Sequence, residues 1–195
     1  MIINTHMLIA KRVYGNLKSK LVFKLQKNNF IYGNIKPDLI LPLSSRAHTL
    51  TDSLEFILEE ANKLIYSQDI DLETFSTNLG VINHFLADFF CSPHYYKGNF
   101  PSFANHLMYE IALHNFFKKM DYDTPLTVEN LKIQNLFNID MKETIFLLEN
   151  EYLEESPKLE RDIIFALKAT TLISYHIVKN SKFNITLPVG KVMAL

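Results

Sequence analysis

Two histidine–carboxylate pairs carry the chemistry written in this sequence. His84 and Asp88 lie four residues apart in Asn78-Leu-Gly-Val-Ile-Asn-His-Phe-Leu-Ala-Asp-Phe-Phe-Cys-Ser-Pro-His94, an otherwise apolar run. His106 and Glu110 repeat the spacing in His-Leu-Met-Tyr-Glu. Residues four apart share one face of an α-helix, so each pair forms a two-pronged clamp of imidazole and carboxylate. That donor set suits a divalent cation such as zinc. His94 stands between the clamps, just past Pro93, where the first helix should break. Each group also has an ordinary explanation: a buried histidine satisfied by a carboxylate, an exposed helical pair, a histidine at a helix end. Asp88 strains that explanation, because it falls among Leu86, Ala87, Phe89 and Phe90. An uncompensated carboxylate is costly there, and a cation would offset it.

The segments around these residues read as helices. Apolar positions recur at helical spacing from about residue 4 to 25, with Gly15 and Asn16 as an interruption, and again from Thr51 through Leu54, Ile57, Leu58, Ala61, Leu64 and Ile65. The pattern resumes over 72–90, 103–119, 127–136, 140–153 and 157–179. Residues 28–49, rich in asparagine, glycine and proline, read as a long loop. The expected architecture is all-α, a single domain over residues 1–195 with about six to eight helices and no internal repeat.

Composition agrees. Only five glycines and seven prolines serve 195 residues, which suits helices better than a turn-rich β sandwich. A net charge of −1 gives no electrostatic footprint for a long polyanion. The single cysteine, Cys91, excludes an internal disulfide and fits a reducing compartment. Met-Ile-Ile-Asn-Thr-His lacks the pattern of a secretory signal, and the apolar run 163–178 carries Lys168, Ser174 and His176 and is too short to span a bilayer. A soluble, cytoplasmic protein without stable membrane insertion is therefore expected.

Three upstream residues extend the series: His6 in the first turn of the first helix, Asp38 in a turn sequence, and His48 before a helix start. His114 and His176 fit no ligand spacing and read as structural. The ordered motifs Asn4-Thr-His6, Gly33-Asn-Ile-Lys-Pro-Asp38, Arg46-Ala-His48, His84-Phe-Leu-Ala-Asp88, Pro93-His94 and His106-Leu-Met-Tyr-Glu110 resemble the zinc-dependent phospholipase C family and the related single-strand-specific zinc nucleases. The resemblance covers roughly residues 1–115. It implies an all-helical domain with up to three zinc ions in one cleft. Carried over by motif, Asp38, His48, His84 and Asp88 would hold one ion, and His94, His106 and Glu110 a second. Asp88 would bridge to a third ion that also takes His6. In the family that third ion is completed by the amine and carbonyl of an N-terminal tryptophan. This chain has none, and the Met1 amine is the expected substitute.

By the same resemblance the expected activity is metal-dependent hydrolysis of a phosphoester. A water activated by zinc would attack phosphorus, with Asp38 orienting or deprotonating it from a loop. The substrate the resemblance implies is a phospholipid headgroup, a nucleotide or a small phosphodiester. Leu39 stands where the phospholipases have an aromatic residue of the choline pocket. Tyr95, Tyr96 and Phe100 are placed to stack on bases or to cover the site. The competing expectation is a metal-binding module of the same fold without turnover, or a nuclease or phosphatase.

Overall fold

Asp71 opens the helix on which the rest of the molecule packs. Its side chain accepts from the Thr74 backbone N–H at 2.8 Å and from the Thr74 hydroxyl at 2.7 Å, an N-cap that starts α4, Leu72–Phe89. From Phe75 onward α4 is buried almost without a break. A helix apolar on every side is a central helix rather than a surface one. In this computed structural model the described residues are 1–18, 21, 23–96, 100, 102–120 and 140–182. They comprise α1 (Ile3–Leu17), α2 (Lys27–Leu39), a single 3-10 turn (Leu43–Ser45), α3 (Leu50–Tyr66), α4, α5 (Ser92–Tyr95), α6 (Phe103–Lys119), α7 (Met141–Glu154) and α8 (Leu159–Asn180), with no strand among them. Helices α1, α2, α3 and α8 pack around α4, while α6 and α7 lie against α8.

The packing of α2 on α4 is the most extensive pairing among the described residues, and two glycines permit it. A Cβ on Gly33 would lie 2.0 Å from the Thr77 carbonyl oxygen, and one on Gly80 would lie 2.3 Å from that of Phe30. The two backbones therefore touch with no layer of side chains between them. This crossing carries the end of α2, with Asn34 and Asp38, up to the His84 face of α4.

The helical expectation holds, and two details change. Residues 28–49 are not one long loop: Lys27–Leu39 is helical, and only the segment from Ile40 to Thr49 is irregular apart from its 3-10 turn. Asparagine and glycine are poor helix formers, but here the tertiary contact at Gly33 overrides local preference. Pro37 sits in the last turn, where the one hydrogen bond it forgoes is the Gly33 carbonyl's. Similarly, α1 runs through Gly15 and Asn16 instead of pausing there, but it ends at Leu17, and residues 21 and 23–25, also expected to be helical, are not. Beyond Phe89, Ser92-Pro93 begins a new one-turn helix with Pro93 in its first turn, so His94 is helical. The buried reading of 163–178 stands, and among the described residues no helix is long and apolar enough to cross a membrane. The helix expected over 127–136 lies outside the described residues.

Candidate metal centre

Asp88 is the hub of the site. It is fully buried near the end of α4, and its two oxygens face different partners. Oδ2 lies 2.9 Å from His48 Nδ1 and 3.4 Å from His84 Nε2. His84 Nε2 in turn lies 3.1 Å from His48 Nδ1 and 3.6 Å from Asp38 Oδ1. Oδ1 faces the other way: 2.5 Å to the Met1 amine, 3.4 Å to His6 Nε2 and 3.6 Å to His94 Nε2. The outer set closes on Glu110, whose Oε1 is 2.8 Å from His106 Nε2, 3.1 Å from His94 Nε2 and 3.0 Å from the Met1 amine. All eight side chains singled out in the sequence, with Met1, thus converge on one place. His114 does not join them; its Nδ1 lies 3.2 Å from the Thr5 hydroxyl. His176, on α8, is likewise outside the group.

Helical position explains the convergence. His84 and Asp88 share the face of α4 turned to α1 and α2. His6 comes from the first turn of α1, and its ring stacks on that of His84 at 3.8 Å. Asp38 comes from the last turn of α2, not from a loop as expected. His48 stands between the 3-10 turn and α3, its ring edge against Phe85 at 4.7 Å. His84 Nδ1 donates to the Asn34 carbonyl at 2.8 Å. Burial, and then the neighbouring His6, hold the His84 pKa well below its ordinary value, so the ring is neutral. With Nδ1–H committed to the carbonyl, Nε2 is left as a bare donor facing the cluster.

The electrostatics fit a cation. Burial alone would push the Asp88 carboxyl up, yet His94, the Met1 ammonium and His6 hold it well below the usual carboxylate range. Burial likewise opposes ionisation of Glu110, but its hydrogen bond with His94 and the Met1 ammonium bring it down to about 2. Both carboxylates are therefore charged. The Met1 ammonium, despite burial, is raised to about 11, chiefly by Asp88. Asp38 differs: burial raises its carboxyl, and its Oδ2 has no hydrogen-bond partner.

Several buried polar atoms make no hydrogen bond, including both ring nitrogens of His6, Asp38 Oδ2 and His48 Nε2. Orphaned groups of this kind are expensive, and a bound cation would satisfy them. Spacing supports the same conclusion. Ligands about 2.1 Å from a tetrahedral zinc lie roughly 3.4 Å from one another, and the contacts from Asp88 and His84 to their neighbouring imidazoles run from 2.9 to 3.6 Å. Mixed nitrogen and oxygen donors are also what zinc takes. Three compact donor groups stand out: His6, His84 and Asp88; Asp38, His48 and His84; and Cys91, His94 and Glu110. In the sequence Cys91 bears on disulfides and redox compartment alone, though its place three residues after Asp88 and three before His94 is visible there. Burial pushes its thiol well above the usual range, so without a metal it is a neutral S–H beside His94 and Glu110.

Next to His94 a cavity of about 250 Å³ is lined by Thr49, Leu50, Thr51, Tyr95 and Glu149. The Tyr95 hydroxyl donates to Glu149 at 2.8 Å and its ring packs on Tyr152, while Phe100 packs on Tyr109.

An all-helical domain whose helices converge a buried cluster of imidazoles and carboxylates defines a class of metalloprotein. Its family is shown independently: the chain belongs to the zinc-dependent phospholipase C family, whose model matches residues 5–159 and so extends past the first 115 residues to the start of α8. No curated protein and no solved structure matches the chain.

Proposed function

We propose that the chain is a zinc-dependent phosphoester hydrolase, phospholipase C-like in mechanism. The observation that carries this reading is Asp88, one wholly buried carboxylate turning one oxygen to His48 and His84 and the other to Met1, His6 and His94. In this reading Asp38, His48, His84 and Asp88 hold one zinc ion, and His94, His106 and Glu110 a second. His6, Asp88 and the Met1 nitrogen hold a third. Zinc supplies Lewis acidity: it lowers the pKa of water from about 16 towards 7 and offsets the charge on phosphoryl oxygens.

The chain supplies the rest. Asp38, at the mouth of the inner group with an unpartnered oxygen, orients the attacking water and accepts its proton. The cavity beside His94 receives one ester group of the substrate. Its volume of about 250 Å³ suits a small headgroup or small phosphoester better than a polymer, and a net charge of −1 does not draw in a long polyanion. A cytoplasmic location belongs to the same reading, since it keeps the buried Cys91 thiol reduced.

The test is metal content by elemental analysis paired with hydrolysis of bis-p-nitrophenyl phosphate, followed by a screen of lipid, nucleotide and small phosphoesters. Bound zinc, with turnover lost on chelation and restored by zinc, is expected. Asp38→Asn should lower turnover by orders of magnitude while the outer site keeps its zinc. An extension on the Met1 nitrogen should weaken only the third site. Protein without bound zinc, or hydrolysis that survives chelation, overturns the proposal. Bound zinc without any turnover leaves a metal-binding module instead.

A further inference from the structure

Behind the outer donors lies a buried polar cluster that the reaction just described does not use. Arg161 and Asp162, both fully buried, stand in the first turn of α8. Asp162 Oδ2 accepts from the Ser92 backbone N–H at 2.6 Å and from the Tyr109 hydroxyl at 2.8 Å. Its Oδ1 accepts from the Ser92 hydroxyl at 3.0 Å, the Tyr152 hydroxyl at 2.8 Å and Arg161 at 3.2 Å. Ser92 begins α5, two residues before His94, and Tyr109 directly precedes Glu110 on α6. One carboxylate therefore tethers the two segments that carry His94 and Glu110.

We infer that Asp162 is a positioning residue for the outer zinc site, fixing His94 through Ser92 and Glu110 through Tyr109. This rests on the outer group being a metal site, as proposed above. Helix α5 is a single turn, and a helix that short does not hold its own conformation. Its first N–H needs an acceptor, and Asp162 provides one. Along α6 successive residues are set about 100° apart, so anchoring Tyr109 fixes the direction of Glu110. The lone pairs of Asp162 are used up by these donors.

Arg161 supports the arrangement instead of reaching substrate. Its guanidinium lies 3.8 Å from the Tyr152 ring and donates to the Tyr152 and Glu155 carbonyls, the Tyr152 and Ser92 hydroxyls, and Asp162. A buried ion pair is a poor source of stability compared with apolar packing, so what this one contributes is geometry. Asp162 also lies past residue 159, where the family match ends.

Zinc titration against a chromophoric chelator, on full-length protein, tests the inference. The outer site is identified as the one that His106→Gln removes. Asp162→Asn should weaken that site by about 10–100-fold, the usual cost of losing a residue that orients a ligand. It should leave inner-site affinity unchanged and lower kcat on bis-p-nitrophenyl phosphate with little change in KM. Ile177→Ala, a cavity on the same helix about four turns away, controls for lost stability and should keep both sites. If Asp162→Asn fails to fold, Tyr109→Phe removes a single tether and should weaken the outer site several-fold. Wild-type affinity in Asp162→Asn, or in Tyr109→Phe if that variant is needed, overturns the inference alone, as does an equal loss in Ile177→Ala. Wild-type protein that takes up no zinc overturns the hydrolase reading and this inference with it.

Discussion

The inner and outer donors are held by opposite means. His6, His84 and Asp88 are wholly buried on α1 and α4, locked by a ring stack, a backbone carbonyl and the close crossing of α2. His106 is 31% exposed on α6, and His94 comes from a one-turn helix. Core packing places a donor only where the core already is. Towards the surface, where apolar neighbours thin out, hydrogen-bonded tethers to Asp162 take over. The inner half should accordingly couple metal binding to folding, and the outer half should lose metal while the fold survives.

The sharpest break in that contrast is Asp88→Asn, which removes the carboxylate that the inner and third ions share. Zinc uptake at those two should fail and turnover should fall by at least about 10²–10³-fold, with the outer ion and helicity by circular dichroism retained. If the inner and third sites both keep their zinc, Asp88 is not the shared ligand. Next comes Gly80→Ala, which forces a methyl into the Phe30 carbonyl. A cost of about 1–3 kcal/mol is expected in chemical denaturation, with inner-site affinity falling alongside. His106→Gln should lose only the outer ion and shift stability by no more than about 0.5 kcal/mol. Equal destabilisation by these two variants would erase the distinction between the halves.

The smallest effect is on the pH dependence of the metal-free protein. Glu110 is held at about 2 against an ordinary 4.5, so its contribution is complete above about 4.5 and lost as pH falls through 2. The Met1 amine is raised from 8.0 to about 11, so its contribution is complete below 8 and lost as pH rises through 11. Denaturation midpoints should decline above about pH 8 and below about 4.5, and the imidazoles of His84 and His94, held below their ordinary pKa by burial, should already lower them as pH falls below about 6.5. A midpoint that keeps rising from pH 7 to 10 would contradict the amine's placement.

The parts of this design that depend on local spacing were readable in the sequence. The i, i+4 clamps of α4 and α6 follow from helical period, and the central place of α4 follows from its unbroken apolar run. Helix α2 was not readable, because its asparagines, glycine and proline speak locally for turns. Only the facing Gly80, almost fifty residues away in sequence, makes a helix the better solution. Nor were Arg161 and Asp162: at the start of a helix, a basic and an acidic residue look like an ordinary solvated first turn. Their burial is created by α5, α6 and α7 meeting over them.

The backbone-on-backbone contact between Gly33 and Gly80 has a consequence for which ions can enter. Side chains adapt to a guest by changing rotamer; two main chains in contact have no such freedom. The Asn34 carbonyl that aims His84 is rooted in that rigid seam. An ion such as calcium, wanting six or more oxygens at 2.3–2.6 Å, would have to prise the two helices apart to be accommodated. If the inner group holds zinc as proposed, size selection would be built into the spine of the molecule, well behind the atoms that would touch the metal.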